Sequence, residues 1–172
     1  LYSQDHDAVD GSLNIYGDYH IATTTNYWSY ATDFDSTALT GGSQRAVTVS
    51  LADTSTTTVD GAALHIVGES GNETLITNQG SGNYAFNVSA GTFNAQYYQY
   101  RNLAAAGLNF TGTPTITSLN YGDFVLAVSG GNTISLSSTT LNANASLLVT
   151  GASFATTSAI TGDNVDLSGT TA

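Results

Sequence analysis

The chain has 172 residues, of which only 9% are charged, and those charges are almost all of one sign: 13 Asp and Glu against 2 Lys and Arg, a net charge of −11. With Arg45 and Arg101 as its only fixed cations, the chain has no basic patch, which excludes nucleic-acid binding and disfavours anionic membranes. The absence of Cys removes disulfides and thiolate metal sites, and no apolar run reaches the length of a membrane span.

The first 45 residues hold five of the ten Tyr (Tyr2, Tyr16, Tyr19, Tyr27, Tyr30), the single Trp (Trp28) and six Asp. They read as an irregular N-terminal cap or first coil at an open sheet end. Tyr27, Trp28 and Tyr30 are the candidate interface anchors of that cap, or stacking platforms for sugar rings. Asp5, Asp7 and Asp10, and separately Asp33 and Asp35, offer the hard oxygen ligands that calcium takes, although neither group has the spacing of a known calcium loop. Calcium is the one cofactor entertained. His6, His20 and His65 are scattered, and His65 reads as a strand residue.

From residue 46 onward the chain is a series of short strands. Residues 46–51, 74–77, 84–88, 115–117, 124–128 and 133–136 are β-branched or aromatic runs, and most alternate apolar with polar side chains. Gly, Asn, Asp and Ser separate them, as turns require. Residues 101–107 suffice for one helical turn only. A self-similarity overlies these strands. Val49-Ser50, Val88-Ser89 and Val128-Ser129 lie 39 and 40 positions apart, and an apolar run with a Gly recurs at 64–68, 108–112 and 147–151. Such a period marks a stacked architecture. The expected fold is all-β: a right-handed parallel β-helix over 46–172, in three two-coil repeats (49–87, 88–127, 128–167) forming one domain with the cap. Roughly seven or eight coils at the ~4.8 Å strand spacing are expected, with Val88 and Val128 in equivalent inward positions. The alternative is an antiparallel β-sandwich, which accounts for short strands but not for the period.

Residues 26–35 (NYWSYATDFD), 91–102 (GTFNAQYYQYRN) and 154–162 (FATTSAITG) resemble repeats of large secreted bacterial cell-surface proteins of parallel β-helix type, known mostly from environmental genomes. The similarity spans nearly the whole chain. It implies a cell-surface location and no catalytic residues, and it implies that related sequences continue past the position of Ala172. The start at Leu1, without an initiator Met or a signal peptide, is in keeping with a processed product or an excised segment.

An enzymatic reading is disfavoured. A glycosidase needs two carboxylates on one face, and none occurs between Glu73 and Asp123. That leaves Asp33/Asp35, Asp53/Asp60 and Asp163/Asp166. Four sequons place Asn72, Asn87, Asn109 and Asn144 as glycosylation candidates. The closing strand-like segment at 164–168 would expose an unpaired edge carrying Val165 and Leu167 as further interface candidates. The expected function is a non-catalytic structural or adhesive module of an extracellular surface protein or filament. Its partners would be further copies of itself, or the rest of a longer chain. The alternative is a carbohydrate-binding or carbohydrate-cleaving β-helix.

Overall fold

A computed structural model describes residues 12–28, 30–31, 44–45, 47–156 and 159–167. In chain order the strands are β1 (Ser12–Ile15), β2 (Tyr19–Ile21), β3 (Asn26–Trp28), β4 (Tyr30–Ala31), β5 (Gln44–Arg45), β6 (Thr48–Leu51), β7 (Thr56–Val67) and β8 (Thr74–Asn78). They continue as β9 (Tyr84–Tyr100), β10 (Leu103–Phe110), β11 (Thr115–Leu126) and β12 (Gly131–Leu136). A short helix α1 (Ser138–Ala143) then precedes β13 (Ser153–Thr156) and β14 (Gly162–Asp166). Twelve strands form one sheet, and every ladder in it is parallel. Among the described residues the only antiparallel ladder joins the two-residue strands β4 and β5. An antiparallel sandwich is therefore ruled out.

The chain visits three ladders in a fixed order, pass after pass. The first ladder is β1, β6, β8, the end of β9, the second half of β11, and β13. The second is β2, the start of β7, the start of β9, β10, β12 and β14. The third is β3, the end of β7, the middle of β9 and the start of β11. The long strands β7, β9 and β11 bend from one ladder to the next. At one such bend Gly91 has φ +76°, and a Cβ there would lie 2.0 Å from the carbonyl oxygen of Ala62 in the preceding pass. Only glycine lets the two corners approach so closely.

In-register parallel pairing places each inward side chain over its counterpart in the next pass, so the core consists of columns. On the first ladder one column runs Leu13, Val49, Ile76, Tyr100, Phe124, Phe154. Its aromatic end is a stack: Tyr100 and Phe124 lie 5.9 Å apart at 6°, and Phe124 and Phe154 lie 5.5 Å apart at 9°. The second ladder contributes Ile21, Val59, Val88, Phe110 and Leu136, and the third contributes Trp28, Ile66, Ala95 and Leu119. Phe86 ties the three together, meeting Trp28, Phe93 and Tyr100 edge-on.

Beneath Tyr98 the register puts Gly122, where a Cβ would sit 2.6 Å from the Tyr98 ring. The missing side chain is the space the tyrosine occupies, and the Tyr98 hydroxyl crosses the core to donate to the carbonyl of Leu119 at 3.3 Å. Helix α1 stands where the third ladder would otherwise gain a strand. Asn144, at its C-cap, accepts from the Ile116 N–H at 2.8 Å and donates to the Pro114 carbonyl at 2.8 Å. Its side-chain amide thus replaces the peptide group of a fifth strand and closes that edge.

Residues 12–28 stand as a first coil: β1, β2 and β3 are the first described pass of the same three ladders. Two expectations are corrected. The 40-residue period does not mark equivalent positions. Val49 belongs to the first ladder, Val88 to the second, and Val128 is half-buried in the turn before β12. The boundaries 49–87, 88–127 and 128–167 consequently cut across the passes. Among the described residues the first and second ladders each hold six strands, where seven or eight coils were expected.

Because Phe124 is 1% exposed and stacked on both sides, Phe124→Ala leaves a hole in the aromatic column. The expected loss is about 3–5 kcal/mol, read by urea denaturation, with Gly17→Ala, whose added Cβ meets nothing within 4 Å, as the neutral control.

Candidate functional site

The outward positions also form columns, and most of their members are polar. On the second ladder the column is His20, Thr58, Asn87, Asn109, Ser135, Asp166. Asn109 donates its amide to Asn87 at 2.9 Å, the amide ladder that in-register stacking makes available to Asn. His20 Nε2 lies 2.7 Å from the carboxylate of Asp60 at the exposed start of this face.

On the third ladder Tyr27, His65 and Asn94 stand in one column. The Tyr27 ring stacks on His65 at 4.7 Å and 10°, and Asn94 Nδ2 lies 3.3 Å from His65 Nδ1. Half-burial holds the His65 imidazole below its ordinary value, so the ring is neutral at neutral pH. Tyr27 is 42% exposed, and it is the aromatic surface that a sugar ring would meet first.

A second aromatic pair marks the corner between the third and first ladders. Tyr97 (φ 51°) and Tyr121 (φ 57°) both adopt the left-handed conformation, and their rings stack at 4.5 Å and 5°. Each such backbone costs roughly 1 kcal/mol, and the one stacked pair, worth about 1 kcal/mol, offsets part of the two. Gly151 lies against the Tyr121 ring, where a Cβ would come within 2.5 Å of it. Nothing in the local sequence announces these corners, because non-glycine residues rarely adopt positive φ.

Asp53, Asp60, Asp123 and Asp166 are each engaged with a different partner, Asp166 accepting from the Asn132 amide at 2.8 Å. Asp53 accepts from Asn78 at 2.8 Å, and from the backbone N–H groups of Ser81 and Gly82 at 3.1 and 2.9 Å. The Asn78 amide, followed by those N–H groups, pulls its pKa below the usual value. Asn102 extends this corner by donating to Asn78 at 2.6 Å. Asp60 pairs with His20. Asp123 pairs with Arg101 and accepts from Ser153 at 2.6 Å; burial pushes its pKa up, but the Ser153 hydroxyl and the Arg101 guanidinium outweigh that and hold it low. Arg101 also donates to the carbonyls of Tyr100 and Asp123 at 3.1 and 2.9 Å, so this cation fixes two neighbouring passes.

Of the residues singled out by sequence, Asp5, Asp7, Asp10, Asp33 and Asp35 lie outside the described residues. Among the described residues no group of three His, Cys, Asp or Glu side chains comes together. Tyr30 is placed only through its backbone, in β4. Trp28 is 2% exposed and packs edge-on against Phe86 at 5.9 Å, which makes it a core residue and corrects its expected role as a surface anchor. The inward position of β3 required a large apolar group there; the cluster Tyr27-Trp28 alternates, with the tyrosine out and the tryptophan in.

Val165 and Leu167 are exposed, at 44% and 46%. Asn72 is exposed on a tight turn, where its backbone exchanges hydrogen bonds with Glu69. The amides of Asn87 and Asn109 bond each other, and Asn144 is held by Ile116, Pro114 and Thr140. Asn72 is thus the sequon whose side chain is most accessible in the folded chain.

The sequence did not reveal the apolar hollow at the last pass. A cavity of about 300 Å³ is lined by Leu119, Ile134, Leu136, Val149, Phe154 and Val165, among others. It lies where the inward columns of the first and second ladders end. Compared with family profiles, curated proteins and solved structures, the chain matches none.

The two lowered carboxyl groups give a pH dependence. A folded carboxyl that releases its proton more readily than the unfolded one contributes its full stabilisation above the usual 3.8 and loses it as pH falls through the lowered folded value. The midpoint of thermal unfolding is expected to drop as pH falls below the usual carboxyl value of 3.8. In Asp53→Asn this acid decline is shallower, as calorimetry across that range would record.

Proposed function

We propose that the chain is a module of a right-handed parallel β-helix that serves as a non-catalytic structural or adhesive element of an extracellular surface protein. The observation that carries this reading is the repeated return of the chain to the same three parallel ladders, with six strands in each of the first two. Crossovers between parallel strands of one sheet are right-handed in nearly all proteins. Stacked passes make a stiff body, since bending it stretches several ladders and a continuous column of packed side chains together.

The surface supports the same reading. Its outward columns are mostly polar, and Asp53, Asp60 and Asp123 are tied to neighbouring passes, which is the chemistry of a solvated wall. The absence of Cys and Lys and the resemblance to secreted bacterial repeats agree with an extracellular setting. A second reading, carbohydrate binding, is favoured by one observation: the exposed Tyr27 ring backed by His65.

A glycan array distinguishes the two. The structural module is expected to give no saturable signal with any neutral or acidic glycan. Saturable binding that falls at least about tenfold in Tyr27→Ala, the loss of one stacking contact of ~1.4 kcal/mol, would replace the structural reading with the binding one.

A further inference from the structure

We propose that Tyr97 and Tyr121 form an oxidative modification site, at which a one-electron oxidant joins the two rings into a dityrosine staple between successive passes. The inference stands apart from the structural and sugar-binding readings alike, because it follows from the geometry of one corner. On the strands that flank that corner Gln96 pairs with Asn120 and Tyr98 with Gly122, so the two tyrosines occupy one position in adjacent passes. Both have left-handed backbone, and their rings lie parallel to within 5° with centroids 4.5 Å apart. Two phenols that leave equivalent positions with the same backbone conformation point the same way, which brings matching ring edges together.

Tyr121 is held in place from the following pass. Its N–H donates to the Thr150 carbonyl at 2.7 Å, and the Thr150 N–H donates to the Asn120 side chain at 2.9 Å. The pair is nevertheless open to solvent, with Tyr121 43% exposed and Tyr97 half-buried. Tyr98 and Tyr100 are also neighbours, but they meet at 80° and both are buried, so neither geometry nor access suits them. Among the described residues Tyr97 and Tyr121 are the one pair of tyrosines stacked in parallel.

The chemistry is the coupling of two phenoxyl radicals. Hydrogen peroxide acting through a haem peroxidase removes one electron and one proton from each hydroxyl. The unpaired density spreads to the ring carbons beside the oxygen, and a C–C bond forms between a Cε of Tyr97 and a Cε of Tyr121. Each of those carbons then passes its hydrogen to the oxygen of its own ring, which restores both phenols. Two electrons and two protons leave in total, and they cleave the peroxide O–O bond to give two waters. Stacking favours coupling within the pair, because a radical on either ring is held against its partner before it meets a second molecule. The product ties β9 to β11 covalently in a chain that has no Cys to do so. Like a disulfide, such a link acts mainly by constraining the unfolded state.

The two arginines provide the test. Trypsin cuts the unfolded chain after Arg45 and Arg101, giving 1–45, 46–101 and 102–172. Tyr121 is the only tyrosine of the last fragment, and Tyr97 lies in the middle one. The full chain is oxidised in dilute solution by a haem peroxidase with limiting peroxide, and the monomer is isolated. It is expected to have lost two hydrogens in mass, to show dityrosine fluorescence, and to yield 46–101 fused to 102–172. Its thermal midpoint is expected to rise by several degrees.

Tyr97→Phe and Tyr121→Phe keep the ring stack, and each is expected to lose the fused fragment, the fluorescence and the rise. Tyr27→Phe is expected to keep all three. A fused fragment that persists in Tyr97→Phe would mean that another tyrosine reaches Tyr121, and would overturn the proposal. A wild type that forms only intermolecular dimers, through an exposed ring such as Tyr16, would overturn it as well. Fusion without any rise in the midpoint would contradict the role of the link as a staple.

Discussion

Backbone pairing between successive passes governs everything else in this molecule. Parallel ladders in register oblige each side chain to lie over the residue at the same position one pass later. A position that points inward is therefore apolar in most passes, and a position that points outward must tolerate a like neighbour at strand spacing. The columns Val49–Ile76–Tyr100–Phe124 and Val59–Val88–Phe110–Leu136 meet the first condition. The Asn87–Asn109 pair meets the second by converting a column into a hydrogen bond. Polar groups inside the stack are costly unless bonded, and Tyr84 and Tyr98 reach the carbonyls of Ile76 and Leu119. Deep burial raises both phenols above their ordinary value, which keeps them neutral donors.

The same constraint explains what the sequence disclosed and what it hid. Strands at 46–51, 74–77, 84–88 and 133–136 were legible because a half-buried strand alternates, and alternation is a local property. The order of passes was not. Ile76, Tyr100 and Phe124 are 24 residues apart and truly equivalent, yet an Ile, a Tyr and a Phe share no letter. Val88-Ser89 and Val128-Ser129 share letters and sit in different environments. Corner length varies from pass to pass, since Tyr97, Asn102 and Tyr121 turn the chain in one residue whereas other corners take several. A fixed period is lost whenever corners absorb different numbers of residues, while the ladders stay in register.

The aromatic N-terminal region shows the limit from another side. A cluster rich in Tyr and Trp reads equally as a cap, a core or a surface. Only pairing with the next pass decides, and it splits the cluster: Trp28 follows Ile66 inward while Tyr27 follows His65 outward. The candidate site was legible to the same degree. Val165 was singled out on the closing strand, but the hollow beside it depends on Phe154 and Leu119 and had no signal in the sequence. Helix α1 and the Asn144 amide that closes the third ladder carried no local signal, because six residues of STTLNA show no apolar period.

Side-chain NOE spectroscopy on the isolated, isotopically labelled chain tests the in-register stacking most directly. The account predicts cross-peaks between Ile76 and Tyr100, between the rings of Tyr100, Phe124 and Phe154, and between Val88 and Phe110, with none between Val88 and Val128. Contacts that instead join Val49 to Val88 and Val88 to Val128, following the 40-residue echo in the sequence, would contradict it.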